Sequence, residues 1–182
     1  MLIGLCGLKN SGKSTISKFL VQHYNFNEFA FADSLKRACI EIFGLTNEQV
    51  FGSFQDKETI DNYWNVSPRV IMQTLGTLVR NLSKIIPNLN HVWIRKIHKK
   101  IIELPKNTNI VISDVRYNDE AEMIKKLGGI IIKIERKKIN DQKDCHESEN
   151  QQIISDFIIY NNSSIENLYL QIKKIIMLDC VP

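Results

Sequence analysis

The residues Gly7-Leu8-Lys9-Asn10-Ser11-Gly12-Lys13-Ser14-Thr15 match G-x-x-x-x-G-K-[ST] in full from Gly7 to Ser14. Glycines at this spacing let backbone N–H groups converge on phosphate oxygens, and a helix that starts at the lysine adds a partial positive charge. Lys13 is expected to reach the β and γ phosphates of a nucleoside triphosphate, and the Ser14 hydroxyl to ligate Mg2+. Gly7, Lys9, Asn10, Ser11, Gly12 and Thr15 complete the expected loop. The alternative is a chance glycine-rich turn. It would not account for an apolar run, Leu2–Cys6, on one side and an amphipathic stretch on the other.

A second chemical group ends the apolar run Asn109–Asp114. A carboxylate at the carboxyl end of a buried strand faces the ligand crevice of a parallel sheet. Asp114 is therefore expected to hold the Mg2+ of Ser14, directly or through water. Its alternative is a helix N-cap for the segment that follows, and the two roles can coexist. Six arginines stand against eighteen lysines, so a retained arginine points to a need for its planar fork. Arg116 lies two residues past Asp114, at the same crevice. Arg69 falls in the first turn of a long helix, and Arg136 opens the polar segment RKKINDQKDCHESEN. That segment is read as a lid over about residues 136–150, against the alternative of a surface loop. Arg80 and Arg95 sit mid-helix on solvated faces, and Arg37 is left open. His146 and Glu149 are not at metal spacing.

These groups need a scaffold. Five apolar runs read as strands: Leu2–Cys6, Phe26–Phe31, Asn109–Asp114, Gly129–Glu135 and the FIIYN run near residue 160. Helices are expected over Lys13–His23, from an Asp33 N-cap to Ile42 with Gly44 as stop, and from Ser67-Pro68 to about Lys84. Three more are expected over Asn90–Glu103, Glu120–Leu127 and Ser164–Met177. Leu45–Trp64 has no clear assignment. Continuous apolar strands separated by helices imply a parallel sheet covered on both faces. The expectation is one α/β domain of three layers around a five-stranded parallel sheet. Its core is 1–44 and 105–182, with a helical insertion at about 45–104.

The 182 residues are 43% apolar and 24% charged, which excludes a disordered chain. A net charge of +4 suits an anionic ligand and fits weak nucleic-acid binding as well, so alone it decides nothing. The lysines are scattered over several helices, not gathered in a stripe with aromatics, which argues against a nucleic-acid module. Cys6, Cys39, Cys145 and Cys180 form no CxxC pair, and no apolar run reaches transmembrane length. A cytoplasmic protein without a membrane segment is expected, as monomer or homodimer. No guanine-reading N-K-x-D occurs, and a motor ATPase would need a larger domain. The remaining layout is a loop, an acidic strand end, a helical pair carrying Arg69 and a lid carrying Arg136. It fits a kinase acting on a small phosphorylated acceptor. The rival class is a P-loop regulatory ATPase.

Several segments together resemble the deoxynucleoside monophosphate kinases of large bacteriophages and DNA viruses. They are GLKNSGKST, FADSLK, SPRVIMQTLGT with VWIRKI downstream, ISDVRYNDEAEMIKKLGG, and HESEN followed by DFIIYNNSSIENL. The R-x-x-M-Q-x-L-G-T helix with its downstream Trp is the most specific of them. The resemblance implies a P-loop kinase fold, ATP as donor and a dNMP as acceptor. It implies that Lys36 and Arg69 contact the acceptor phosphate, and that Gln73, Gly76, Thr77 and Trp93 line the base and sugar pocket. Arg116 would bridge the acceptor and transferring phosphates, with Asp114 beside it. Arg136 would be the lid arginine, and Asn161 and Asn162 would lie near adenine. Some family members have Asp where this chain has Ser14, and some phage members carry a long insert after the second helix that is absent here. The accepted base is therefore left open. Animal phosphomevalonate kinases share the P-loop, L-K and S-D-x-R segments and are the runner-up.

Overall fold

Every residue of β1 (Leu2–Cys6) except Leu2 is buried, so the strand can exist only with both faces covered. In the computed structural model, which describes residues 1–137 and 152–179, it is the central strand of a five-stranded sheet. The order is β2-β3-β1-β4-β5, with β2 at Phe26–Phe29, β3 at Asn109–Ile112, β4 at Ile130–Glu135 and β5 at Phe157–Tyr160. All pairs are parallel. β1 lies between β3 and β4, and the chain crosses over it in passing from β3 to β4, so the order reverses at β1. In parallel sheets ligands bind at the carboxyl ends of such strands.

The chain divides into two units, Met1–Ala30 with His98–Pro182, and Phe31–Ile97. In the first, Ile3 and Leu5 of β1 join Ile16, Phe19 and Leu20 of α1 (Lys13–Tyr24) and Leu168, Ile172 and Ile176 of α8 (Ile165–Asp179) in one core. Phe19 stacks on Tyr169, ring centroids 4.0 Å apart. On the opposite face α7 (Asn118–Lys126) lies so close that a Cβ at Gly4 would sit 2.7 Å from Ile124 Cδ1. The helix–sheet–helix layering expected from the sequence is present. Each fully buried Ile or Leu contributes roughly 1.5–3 kcal/mol.

The second unit is helical. It holds α2 (Asp33–Phe43), α3 (Asn47–Phe51), α4 (Phe54–Glu58), α5 (Pro68–Arg80) and the start of α6 (Val92–Ile102). It includes α2, whereas the sequence reading starts the insertion near residue 45. Cys39, Leu45, Val50 and Ile71 form its core. Ser67 caps α5 by accepting from Val70 N, with Pro68 at the first turn, as expected. Gly44, at φ 65°, closes α2. The unassigned stretch 45–64 turns out to hold two short helices, each with a capping box: Thr46 with Gln49, and Ser53 with Asp56.

Several boundaries differ from the sequence reading. Asp33 is not the N-cap of α2: Ala32 is already helical, at φ −75° and ψ −10°, and its carbonyl accepts from Lys36 N. The long helix stops at Arg80 and tightens into a 3-10 turn, Asn81–Lys84, ahead of Pro87. The next helix starts at Val92, because Asn88 and His91 hold φ 69° and 49° and cannot continue a right-handed helix. β3 ends at Ile112, which leaves Asp114 two residues beyond it in a turn.

Candidate active site

The loop after β1 is shaped by two glycines. Gly7 has φ 135°, and a Cβ there would lie 2.3 Å from the carbonyl oxygen of Ile134. Gly12 has φ 114°, and a Cβ would lie 2.6 Å from Asn161 Nδ2. Asn10 between them adopts φ 61°, a conformation Asn tolerates better than most residues. Helix α1 begins at this loop with no side-chain cap and no acidic residue in its first turn. Its N-terminal positive end is thus left for an anion. Lys13 Nζ folds back over the loop and donates to the carbonyls of Gly7 at 2.7 Å and Leu8 at 2.8 Å. Ser11 Oγ is buried in the loop without a hydrogen-bond partner among the described residues. A buried hydroxyl of this kind calls for an acceptor, and a phosphate oxygen would supply one.

Carboxyl-end residues of the neighbouring strands close on the same loop. Asn161 follows β5. Its N donates to Glu135 O at 2.8 Å, and its Nδ2 to Ser11 O at 2.8 Å. Asn162 Oδ1 accepts from Lys137 N at 2.7 Å. Arg136 follows β4, and its Nη1 reaches Asn10 O at 3.5 Å. Asn161 and Arg136 therefore gather at the loop, and Asn162 is tied to the residue after Arg136. The expected lid runs out of the described residues from 138 onward.

Asp114 lies on the other side of β1. Ser113 N donates to Phe29 O at 3.0 Å, and Val115 N to Leu5 O at 3.1 Å, so the Asp114 turn bridges the carboxyl ends of β2 and β1. The ladder between β1 and β3 ends at Gly4↔Ile112, and the Val115 N bond to Leu5 O keeps the Asp114 turn at the carboxyl end of β1. The N-cap position of α7 falls at Tyr117, which makes no side-chain cap bond, and not at Asp114. Ser14 is exposed on the first turn of α1. Cys6, between these groups, stays a neutral thiol: burial pushes it up to about 11, against the pull of Lys133 and Lys13. It is a core residue and no nucleophile.

Glu120 went unnoticed in the sequence. It is 2% exposed, and its Oε2 accepts from Arg116 N at 2.8 Å and Tyr117 N at 3.1 Å. A buried carboxylate is retained only where it is so satisfied. Here it fixes the backbone that carries exposed Arg116. The readable signal was a Glu three residues past Tyr117.

In the helical unit, Arg69, Gln73, Gly76 and Thr77 recur at i, i+4, i+7 and i+8 along α5, so they share one face. Trp93 Nε1 donates to Gly76 O at 3.4 Å, which brings Trp93 to that face. Lys36 Nζ lies 5.0 Å from the Phe51 ring centroid. Arg69 pairs with Glu58 and lies over Phe54, at 5.6 Å from the ring centroid. Neither Glu58 nor the two rings was singled out in the sequence; all three belong to the stretch that had no assignment. Among the described residues no group of three or more His, Cys, Asp or Glu gathers as a metal cluster, and no helix is long and apolar enough to cross a membrane.

A five-stranded parallel sheet with a phosphate loop at its switch point defines a P-loop kinase fold. Solved structures agree on the fold. Shikimate kinase from Aquifex aeolicus vf5 matches at TM-score 0.51 and 16% identity over 100% of this chain and 99% of its own. Dephospho-CoA kinase from Campylobacter jejuni matches at TM-score 0.51 and 19% identity over 97% and 95%. In sequence, a candidate deoxynucleotide monophosphate kinase of Acanthamoeba polyphaga mimivirus is 41% identical over 94% of both chains. A dephospho-CoA kinase of Fusobacterium nucleatum subsp. nucleatum is 25% identical over 96% of both. The family described as deoxynucleotide monophosphate kinase matches residues 43–172. The chain belongs to the deoxynucleotide monophosphate kinase family and is a nucleoside monophosphate kinase, with ATP as the phosphoryl donor that such kinases use.

Proposed function

We propose that the protein transfers the γ-phosphoryl group of ATP to a deoxynucleoside monophosphate, giving ADP and the deoxynucleoside diphosphate, in the cytoplasm of a virus-infected cell. The observation that carries this reading is the phosphate loop with its orphaned Ser11 hydroxyl, in a chain whose family match extends through the α5 segment. An acceptor phosphate oxygen bonds to the γ phosphorus in line. The β–γ bridging bond breaks, and its electron pair leaves on the ADP oxygen. No covalent enzyme intermediate is needed, and no general base, because the acceptor phosphate is largely ionised near neutral pH. Catalysis is then positioning and charge.

Each residue has a place in this scheme. Gly7, Lys9, Asn10, Ser11, Gly12 and Thr15 hold the donor phosphates, with Asn161 and Asn162 on the adenosine side. Lys13, Arg116 and Arg136 balance the charge that moves in the transition state. Lys36 and Arg69 grip the acceptor phosphate, and Gln73, Gly76, Thr77 and Trp93 form the wall for base and sugar. Ser14 and Asp114 offer oxygen donors, the type a hard cation such as Mg2+ takes while keeping several waters, so the donor set fits it. Bound Mg2+ would supply charge neutralisation at the β and γ phosphates. The helical unit acts as the acceptor-binding part, and the segment 136–150 as the water-excluding lid.

Coupled ADP release, measured with ATP and each of the four dNMPs in turn, tests the reading. Turnover with at least one dNMP far above the ATP-only rate is expected. Equal rates with and without any dNMP, or turnover on mevalonate phosphate alone, would refute it.

A further inference from the structure

Arg69 makes two contacts in the helical unit. Its Nε donates to Glu58 Oε1, and its guanidinium carbon lies 5.6 Å from the centroid of Phe54. Its two Nη groups make no hydrogen bond to a described residue. The Arg69 and Glu58 side chains are 20% and 32% exposed. A guanidinium is planar, with five N–H donors around its rim. Holding Nε, with Phe54 beside the group, restricts its rotation and leaves the outer Nη fork for a ligand, the edge that meets a phosphate bidentately.

Both supports come from α4, and α4 is itself held. Ser53 Oγ accepts from Asp56 N at 3.3 Å, Asp56 Oδ2 accepts from Ser53 N at 2.6 Å, and Lys57 Nζ donates to Gly52 O. Gly52 has no room for a side chain, since a Cβ would lie 2.3 Å from Glu48 O. Partly exposed ion pairs contribute little stability, so stability alone does not explain a carboxylate at this place. A carboxylate near a phosphate site also repels the ligand. Its benefit must then come from orienting the arginine.

We propose that Glu58 is a positioning residue for acceptor recognition: it holds Arg69 Nε so that the Nη fork, beside the Phe54 ring, is presented to the acceptor phosphate. This rests on the reading that Arg69 grips that phosphate. The reading and the inference separate in steady-state kinetics on the full chain, with the dNMP of highest turnover. Arg69→Ala should raise the KM for the dNMP roughly tenfold to a hundredfold, and leave the KM for ATP unchanged. Glu58→Ala should raise the dNMP KM roughly tenfold, with the ATP KM and kcat within about twofold. Glu58→Gln, whose amide oxygen still accepts from Nε, should recover most of the loss. Adding Glu58→Ala to Arg69→Ala should change nothing further. If Arg69→Ala lacks the selective dNMP effect, the acceptor reading of Arg69 fails and the inference with it. If that effect is present but Glu58→Ala leaves the dNMP KM unchanged, lowers it, or adds fully to Arg69→Ala, the inference alone fails. Should Glu58→Ala not fold, Phe54→Leu decides: a few-fold rise in dNMP KM is expected, and no rise overturns the proposal.

Discussion

The two regions that would hold phosphate are built by opposite means. At Gly7–Ser14 the backbone makes the site. Two glycines at φ 135° and 114° leave no room for a Cβ, and Lys13 is held by loop carbonyls. Around Arg69 and Lys36 side chains would make the site: a carboxylate and two rings lie against the cations, on short helices fixed by their own caps. A backbone site admits few sequences and is rigid. A side-chain site can be retuned one residue at a time, which suits the substrate that differs between enzymes.

The largest effect should come from the charge that only the backbone site can place. Lys13→Ala is expected to lower kcat roughly 1,000-fold or more, the scale of cations that act on transferring phosphates. Far-ultraviolet circular dichroism should be unchanged, because the residue is half-buried and outside the core. Activity within tenfold of the unaltered enzyme at saturating ATP and Mg2+ would break the comparison.

Next comes Gly7→Ala. The substitution meets both a left-handed backbone and a carbonyl at 2.3 Å, so a loss of about 3 kcal/mol is expected. At roughly 2–4 °C per kcal/mol this lowers Tm by about 6–12 °C. Gly44→Ala has the same sign of φ, at 65°, but nothing within 4 Å of the added Cβ. It should cost only about 1–2 kcal/mol. Equal losses in thermal melts would mean that backbone strain alone, and not crowding at the phosphate loop, sets the requirement.

The same contrast explains what the sequence disclosed. The phosphate loop, the five strands, the Ser67-Pro68 helix start and the Gly44 stop were all legible, because each is a local rule of backbone conformation or apolar period. Leu45–Trp64 was not legible. Its signals, Thr46-x-x-Gln49 and Ser53-x-x-Asp56, are capping boxes without long apolar helices behind them, and the second uses Asp in place of Glu or Gln. The Glu58–Arg69 pair spans eleven residues across two elements, and the Glu120 contact depends on a turn that no propensity announces. The acceptor-side roles of Gln73, Thr77 and Trp93 came from resemblance to a family, since spacing alone specifies only that Gln73 and Thr77 share a helix face.

Ser53→Ala should show how far the side-chain site depends on its caps. A lost N-cap costs about 1 kcal/mol. Because α4 carries Phe54 and Glu58, the expected outcome is a small fall in Tm with a few-fold rise in the dNMP KM and an unchanged ATP KM. A rise in both constants would show that the cap supports the fold in general and not the acceptor side.

The smallest effect is an acid one, and a carboxylate from each region can read it. Burial alone would raise Asp156, but the Ile131 N–H and the Lys125 ammonium outweigh it and hold the carboxyl below its usual range. Asp61 is likewise held low, first by the Gln49 amide and then by the backbone N–H groups of Trp64 and Tyr63. A carboxyl whose pKa is depressed on folding adds stability at pH values above its unfolded pKa, about 3.9, and that stability is lost as pH falls through the lowered value. Asp156 ties β5 to β4 through Oδ2 at 2.8 Å from Ile131 N, yet its pair with Lys125 is more than a third exposed, so its share is at most about 0.2–1 kcal/mol. The two tryptophans, Trp64 and Trp93, both lie in Phe31–Ile97, so indole fluorescence reports the helical region alone, whereas circular dichroism reports the whole chain. Asp61→Asn should therefore flatten the acid limb seen in fluorescence below about pH 4. Asp156→Asn should flatten the limb seen by circular dichroism and leave fluorescence nearly unchanged. If both variants shift both signals equally, acid loosens the two regions together and their separate construction does not extend to separate stability.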